Sequence, residues 1–433
     1  HDEVKSDDFD LARFQKMVAT LPTIDEPSSN GYNVMYYMSE FNRVETGEWL
    51  LEKGSDVNFL NKQKGFAAIH RGASKAYLEV VKMLVSNGAD VDLKTSKGYT
   101  ALYFATKKSH DEVVKYLLEK GADINSHVNS AKSTPLYIAV FNKDTTMFDL
   151  LLQYNPNVDL ARGNGVSPLY KAVAAENYYM TEKLLSKGAK VNTQTDSLKH
   201  TPLFVATINK DTLIIDLLKR YKADADIPNH NNFTPINFAI VKKSYTVAKK
   251  LLEFNPNLNI ADSGNCTPLL NALKVKNLEL AKLLTEKGAD VNVVNKLNYT
   301  PLYYAIKYGD LSTVKLLLEH GADINQKSKG GQTPLICAIV NKRAEIIEIL
   351  LDKGADINIA ADDNYYPIHA AAYKGDHKTA TVLIDKDADV NCTMSWGLTP
   401  LMVITAFCDA PQLMEKAIEK GAKIEATTNR GMT

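Results

Sequence analysis

The chain predicts an all-α fold, a solenoid of stacked helix-turn-helix pairs, and three observations carry that prediction. Prolines at 135, 168, 202, 235, 268, 301, 334, 367 and 400, with Ala68 and Ala101 in their place earlier, are spaced by 33 or 34 residues. A fixed period of this size marks a repeat architecture. Glycines that end helices keep the same beat at Gly54, Gly88, Gly121, Gly188, Gly288, Gly321, Gly354 and Gly421. Between these marks lie two short apolar patterns at helical spacing. Each is too short to persist alone in water, so every pair must be buried against copies of itself.

Asn298 to Asn325, NYTPLYYAIKYGDLSTVKLLLEHGADIN, shows the unit most clearly. The Thr300 hydroxyl can accept an orphan backbone N–H, and Pro301 fits the first helical turn. Gly309 ends that helix by taking a left-handed conformation without penalty. Asp310 caps a second helix, whose Leu311, Val314, Leu317 and Leu318 share one face, and Gly321 stops it.

Along the chain, residues 1–30 lack the repeat signature and read as an N-terminal capping segment. Phe9, Leu11, Phe14, Met17, Val18 and Leu21 are spaced like the buried face of one helix, suited to shielding the first repeat. Repeats occupy 31–433. The first is degenerate, with Tyr32 to Tyr36 in place of the usual opening. The second opens on Ala68 without proline, so its first helix is expected to fray. Two repeats end in Asn155-Pro156 and Asn255-Pro256. A residue before proline is pushed towards extended conformations, so these helices are expected to stop one residue early. Lys222 and Asp387 stand where glycine is usual and should carry strain. The twelfth repeat has one extra residue near Phe407 to Pro411. Gly431, Met432 and Thr433 read as the opening of a further repeat, and the expectation is that the natural protein continues.

Thr-Pro-Leu at 134, 201, 267, 300, 333 and 399, with Gly-Ala-Asp-Val/Ile-Asn or -Asp at 88, 121, 288, 321 and 354, closely resembles the ankyrin-repeat family. The resemblance runs from about Gly31 to the last residue and comprises about twelve copies. It implies short β-hairpin fingers between the helix pairs, and helix packing at 8–10 Å gives an arc on the order of 100 Å. His70 and His369 keep the family's histidine, which bonds within and between adjacent repeats. The same slot holds Tyr103, Tyr137, Tyr170, Phe204, Leu270, Tyr303, Ile336 and Met402 elsewhere, so apolar packing is expected to replace part of that hydrogen-bonding.

Bulk chemistry excludes several functions. Lys+Arg and Asp+Glu are both 51, so no global charge points to nucleic acid or an anionic membrane. No run of about 18 apolar residues could span a bilayer. Cys266, Cys337, Cys392 and Cys408 show neither disulfide nor zinc spacing and read as free thiols. There is no Walker loop, G-x-G-x-x-G, G-x-S-x-G or H-E-x-x-H. No catalytic residue, metal or cofactor is expected, and this stretch is not expected to be an enzyme.

What remains is surface. The resemblance places partner contacts on the concave side, made by the fingers and the exposed end of each first helix. Finger candidates are Phe66, Tyr99, Phe233, Tyr299 and Tyr365. First-helix candidates are Lys107, Lys108, Phe141, Lys242, Lys274, Lys307, Tyr308, Tyr373 and Lys374. Trp396 and Phe407 join an aromatic group richer towards the C-terminus. The lysines read either as a strip steering an acidic partner or as solvated helix ends favourable to the dipole. The aromatics read either as binding anchors or as packing between fingers. Arginine is scarce, seven against 44 lysines, and no base-stacking module is present, so nucleic acid is not the expected partner. The expected function is a protein–protein interaction module, monomeric and without a membrane span, binding a protein with an acidic and apolar surface. The alternative is the recognition arm of a larger secreted effector or toxin whose active domain lies beyond residue 433. Richness in Lys, Asn and Tyr with little Arg fits an AT-rich genome, and ankyrin proteins of such composition resemble effectors acting on host proteins; the resemblance implies an intracellular, cytoplasmic location, in a host cell after secretion.

Overall fold

The computed structural model describes residues 10–19, 23–127, 132–408 and 410–432. Among them are 25 α-helices and no β-strand. Contacts divide the chain into two units, His1–Asp224 and Ala225–Thr433. The first holds the helix Leu11–Val18 and six helix pairs, from Val34–Glu40 with Val44–Glu52 to Pro202–Asn209 with Thr212–Arg220. The second holds six more, from Pro235–Val241 with Tyr245–Leu251 to Pro400–Phe407 with Pro411–Glu419.

Nine first helices start on the hydroxyl cap that their sequence supplies. Thr100, Thr134, Ser167, Thr201, Thr234, Thr267, Thr300, Thr333 and Thr399 each accept the N–H three residues on, at 3.0–3.4 Å. The cap satisfies one of the orphan donors of a helix only seven or eight residues long. Second helices are capped by Asp144, Asn177, Asp211, Asn277, Asp310 and Asp376 in the same way.

Repeats are tied to each other by a side-chain ladder. In the first unit Asn58, Asp92, Asn125, Asp159 and Asn192 accept the backbone N–H of Asp90, Asp123, Asn157, Lys190 and Asp224 at 2.8–2.9 Å. In the second, Asp226, Asn259, Asn292, Asn325, Asn358 and Asn391 do the same one repeat on, at 2.8–3.0 Å. Asp25 extends the ladder into the N-terminal segment, accepting the Asp56 N–H at 2.8 Å and the Ser55 hydroxyl at 2.6 Å. The fingers are hairpin-shaped turns too short to make strands. In one of them Asn295 N–H donates to Tyr299 C=O at 3.2 Å, and Lys296 N–H donates to Gly264 C=O of the preceding finger at 3.1 Å.

Several local expectations need correction. In Leu11–Val18, Phe14 and Val18 are buried, but Met17 is 42% exposed. So short a helix buries only its i, i+4 line, and Phe14 meets Trp49 edge to face at 6.2 Å. Phe9, Leu21, Asp409 and Thr433 lie outside the described residues. The helix before Asn155 is not shortened: it runs Thr145–Gln153, nine residues, as long as Leu311–Glu319 before Gly321. Asn155 takes the left-handed conformation (φ 50°) that asparagine tolerates at a helix C-terminus. Before Asn255 the α-helix does stop at Leu251 and finishes as a 3-10 turn, Leu252–Phe254. Lys222 and Asp387 sit at φ 60° and 62°, in the strained region expected of them. In the last repeat the first helix runs to Phe407, Cys408 is extended and the second helix starts at Pro411, so the two helix starts lie one residue further apart than Pro301 and Leu311.

The helix opening on Ala68 keeps the usual seven residues, because His70 Nδ1 accepts the Ala67 N–H at 3.0 Å. Its Nε2 donates to Leu93 C=O at 2.8 Å. His369 Nε2 donates likewise to Leu398 C=O at 3.2 Å. Asn237, in the same slot, makes the equivalent bond to Ile260 C=O at 2.9 Å. Phe204, Leu270 and Ile336 are fully buried there, so apolar packing does replace the bond elsewhere.

Two predictions follow from this scaffold. Burial pushes the imidazoles of His70 and His369 down to about 4 from 6.5. Their contribution is complete above pH 6.5 and is lost as pH falls towards 4, because the unfolded histidines take up protons first. The unfolding free energy from urea titration should therefore fall less over that window for the His70→Asn, His369→Asn variant, by on the order of 1–3 kcal/mol. Equal slopes refute the assignment. Asn292→Ala removes the acceptor for Asp323 N–H and the donor to Gly321 C=O. It should cost about 1 kcal/mol in urea unfolding.

Candidate partner-binding surface

The sequence positions that do not repeat are the ones free to contact something else, and the structure divides them by exposure. Lys107, Lys108, Lys242, Lys274, Lys307 and Lys374 are exposed at the ends of first helices. Phe141 (55%), Trp396 (73%) and Phe407 (55%) are the exposed aromatics of the group. Phe66, Tyr99, Phe233, Tyr299, Tyr308, Tyr365 and Tyr373 are half-buried.

In the first unit Phe66 lies 5.2 Å from Phe104, and Tyr99 lies 4.4 Å from Tyr103. Phe141 stacks on Tyr137 at 6.4 Å, with the Lys171 ammonium 4.7 Å from its ring centroid. In the second unit Tyr299 stacks on Tyr303 at 4.7 Å and Tyr304 on Tyr308 at 6.1 Å. Tyr373 joins Tyr365 at 6.1 Å to Phe407 at 4.5 Å across consecutive repeats. Trp396 is on a fingertip, beside Leu398, Asn429, Arg430 and Met432. The predicted residues therefore form several groups along the repeats. Phe104 and Tyr103 make an aromatic cluster in the first unit as dense as any towards the C-terminus.

Lysines cover many of these rings. Lys107 lies 5.9 Å from the Tyr103 centroid, Lys242 5.7 Å from Phe238 and Lys307 5.8 Å from Tyr303. Each pair is spaced i, i+4, which puts both side chains on one helix face. Lys276 reaches across repeats to Tyr308 at 4.9 Å, and Lys329 to Tyr299 at 5.8 Å. A cation over a ring face is held by the ring quadrupole while its charge stays available to solvent. Burial pushes the Tyr303 phenol up to about 12, so it remains a neutral platform. Tyr103, Tyr303 and Phe238 lie outside the predicted contact residues, and the i, i+4 lysine–aromatic spacing is the sequence signal for all three.

Lysines on second helices have another fate. Lys249 pairs with Glu279 at 2.7 Å, Lys378 with Glu348 at 2.9 Å and Lys420 with Asp387 at 2.7 Å. Among the described residues, Lys242, Lys274, Lys276, Lys307 and Lys342 have no carboxylate at ion-pair distance. Neutrality of the whole chain thus hides local segregation. Second-helix lysines such as Lys249 and Lys378 are neutralised by neighbouring acids, whereas those five at the first-helix ends are not.

Gly309 is set by its neighbour as well as by its backbone. Its φ is 74°, but Lys143, Lys210, Lys243 and Lys276 hold the same turn position at 57–61°. At Gly309 a Cβ would fall 2.7 Å from Arg343 Cζ. That guanidinium lies over the glycine and donates to Lys307 C=O at 3.0 Å. Gly309→Lys should displace it and cost about 1 kcal/mol more than the same change made in an Arg343→Ala background. Additive costs in urea unfolding would show that Arg343 does not constrain this turn.

Among the described residues no helix is long and apolar enough to cross a membrane, and no group of three or more His, Cys, Asp or Glu could hold a metal ion.

Family models match most of the chain. Residues 14–95, 34–128, 237–328 and 269–361 match ankyrin repeats (three copies), 105–152 ankyrin repeats (many copies) and 363–395 a single ankyrin repeat. The helix pairs at 168–186 and 202–220 lie outside those matches, yet carry the same caps. Palmitoyltransferase ZDHHC13 of Homo sapiens is 34% identical over 212 residues, 48% of this chain and 33% of that protein. Putative ankyrin repeat protein FPV240 of fowlpox virus is 34% identical over 100 residues, 23% of this chain and 24% of its own length. Ankyrin repeat protein OPG189 of variola virus is 27% identical over 147 residues, 33% of this chain and 20% of its own. The chain thus spans about a third of the palmitoyltransferases' length and less of the viral proteins. Among solved structures, the ankyrin repeat domain of Bcl-3 is 26% identical, with a TM-score of 0.43, covering 51% of this chain and 99% of that one. Repeat period, caps and family matches agree, and the chain belongs to the ankyrin-repeat family.

Proposed function

We propose that this chain is a protein–protein interaction module that grips a partner with an acidic and apolar surface through its fingers and first-helix ends. The observation that carries the reading is the contrast between slots. Thr300, Pro301, Leu302 and Ala305 are buried by stacking, whereas Lys107, Lys242 and Lys307 stand over aromatic rings with their charge unpaired. Lysines placed in this way steer an oppositely charged partner and fix its register. Tyr and Trp supply the contact area that most often dominates binding energy.

Viral ankyrin-repeat relatives support a second reading, in which these repeats are the recognition arm of a larger effector acting on host proteins. The palmitoyl transfer in the name of another relative belongs to a protein of which a third is matched, and no residue of this chain is assigned to it.

The test uses a partner recovered from eukaryotic cell extract on the immobilised chain, with affinities then measured by calorimetry. Tyr308→Ala, Tyr373→Ala and Trp396→Ala should each weaken binding by roughly 1–2 kcal/mol or more. Lys107, Lys108, Lys242 and Lys274 changed together to Glu should slow association and flatten its salt dependence. Lys249→Ala, on a second helix, should do neither. Unchanged affinity in all three aromatic variants, with association independent of salt, refutes the proposal.

A further inference from the structure

One stretch of the second unit carries more information about its partner than charge alone. The four turns between first and second helices at 241–244, 274–277, 307–310 and 340–343 each combine one or two cations with an apolar side chain. Val241 is followed by Lys242, Val275 by Lys276, Lys307 by Tyr308, and Val340 by Lys342 two residues on. All four lysines are exposed; Val241 is 37% exposed, and Val275, Tyr308 and Val340 are half-buried. The carboxylate within these turns, Asp310, is already engaged. It accepts from Thr313 and Ser312 and lies 3.8 Å from Lys282 of a second helix.

Consecutive turns touch. Lys276 lies over the Tyr308 ring of the next repeat, and Arg343 donates to Lys307 C=O of the preceding one. First helices packed side by side stand roughly 8–10 Å apart. An extended chain advances about 3.3 Å per residue, so about three residues of it match one repeat.

Resting on the interaction reading above, we propose that this ridge binds an extended acidic segment with one carboxylate and one apolar residue in every three positions. Its carboxylates meet Lys242, Lys276, Lys307 and Lys342 in turn, and its apolar residues lie on Val241, Val275, Tyr308 and Val340. A folded acidic patch or a uniform polyanion has no reason to keep that period.

Two labelled synthetic peptides of identical composition test this by fluorescence anisotropy on the full chain. One repeats glutamate, leucine and serine four times; the other groups its glutamates at one end and its leucines at the other. The spaced peptide should bind at least about tenfold more tightly. Lys276→Gln with Lys307→Gln should remove that preference, while Lys249→Gln on a second helix should leave it. Equal affinity for the two peptides, or no binding of either, overturns the register. A single-stranded oligonucleotide binding as tightly as the spaced peptide also overturns it, in favour of plain polyanion attraction. If register fails while a captured protein still depends on Tyr308, only the segment's pattern is wrong and the interaction reading survives.

Discussion

One hydrogen bond, repeated, holds the repeats of each unit in line. An Asn or Asp side chain at the end of each repeat accepts the backbone N–H of a residue one repeat further on, from Asn58 to Asp90 in the first unit and from Asn391 to Lys423 at the end of the second. In a solenoid each repeat contacts its neighbours, so stability is close to a sum of repeat and interface terms. Helices of seven to nine residues contribute little alone. The ladder converts the apolar stacking of Leu302, Ala305 and their counterparts into a fixed register, because it satisfies a donor that only one alignment presents.

That register makes the rest of the surface meaningful. Once repeats are locked at constant spacing, a residue placed once per repeat becomes a row. On second helices the row is self-neutralising, as between Lys249 and Glu279 or Lys378 and Glu348. Exposed pairs of this kind add little stability, and their main effect here is to leave no net charge on offer. At first-helix ends the lysines rest on rings, which anchors the side chain without consuming its charge. One residue type thus plays two parts, decided by whether its neighbour is an acid or an aromatic.

Buried polar groups show the same economy. Asn237, in the histidine slot, and Asn271 of the next repeat are both buried, and a hydrogen bond joins them. Asn271 donates to Asn237 Oδ1 at 3.2 Å and to the Asp262 carboxylate at 3.0 Å, while Asp262 also accepts the backbone N–H groups of Gly264 and Cys266. A buried polar network is tolerated when its members are paired. Asn237 reproduces a histidine's bond with a shorter side chain, which explains how the slot accepts such different residues.

Much of the fold was legible because its causes are local. Thr-Pro starts, helix-ending glycines and the period of 33 specify where each helix begins and ends, and the caps form as read at Thr300 and Asp310. The candidate surface was legible as a set of variable positions, but its grouping was not. Phe66 meeting Phe104, Lys276 covering Tyr308 and Arg343 dictating Gly309 all join residues about one repeat apart. The sequence by itself determined the repeat, its boundaries and the positions left over for function. Only the tertiary structure decided which of those positions touch and which lysines keep a free charge. Both depend on side chains of neighbouring repeats, whose contact follows from stacking and leaves no trace in the local pattern.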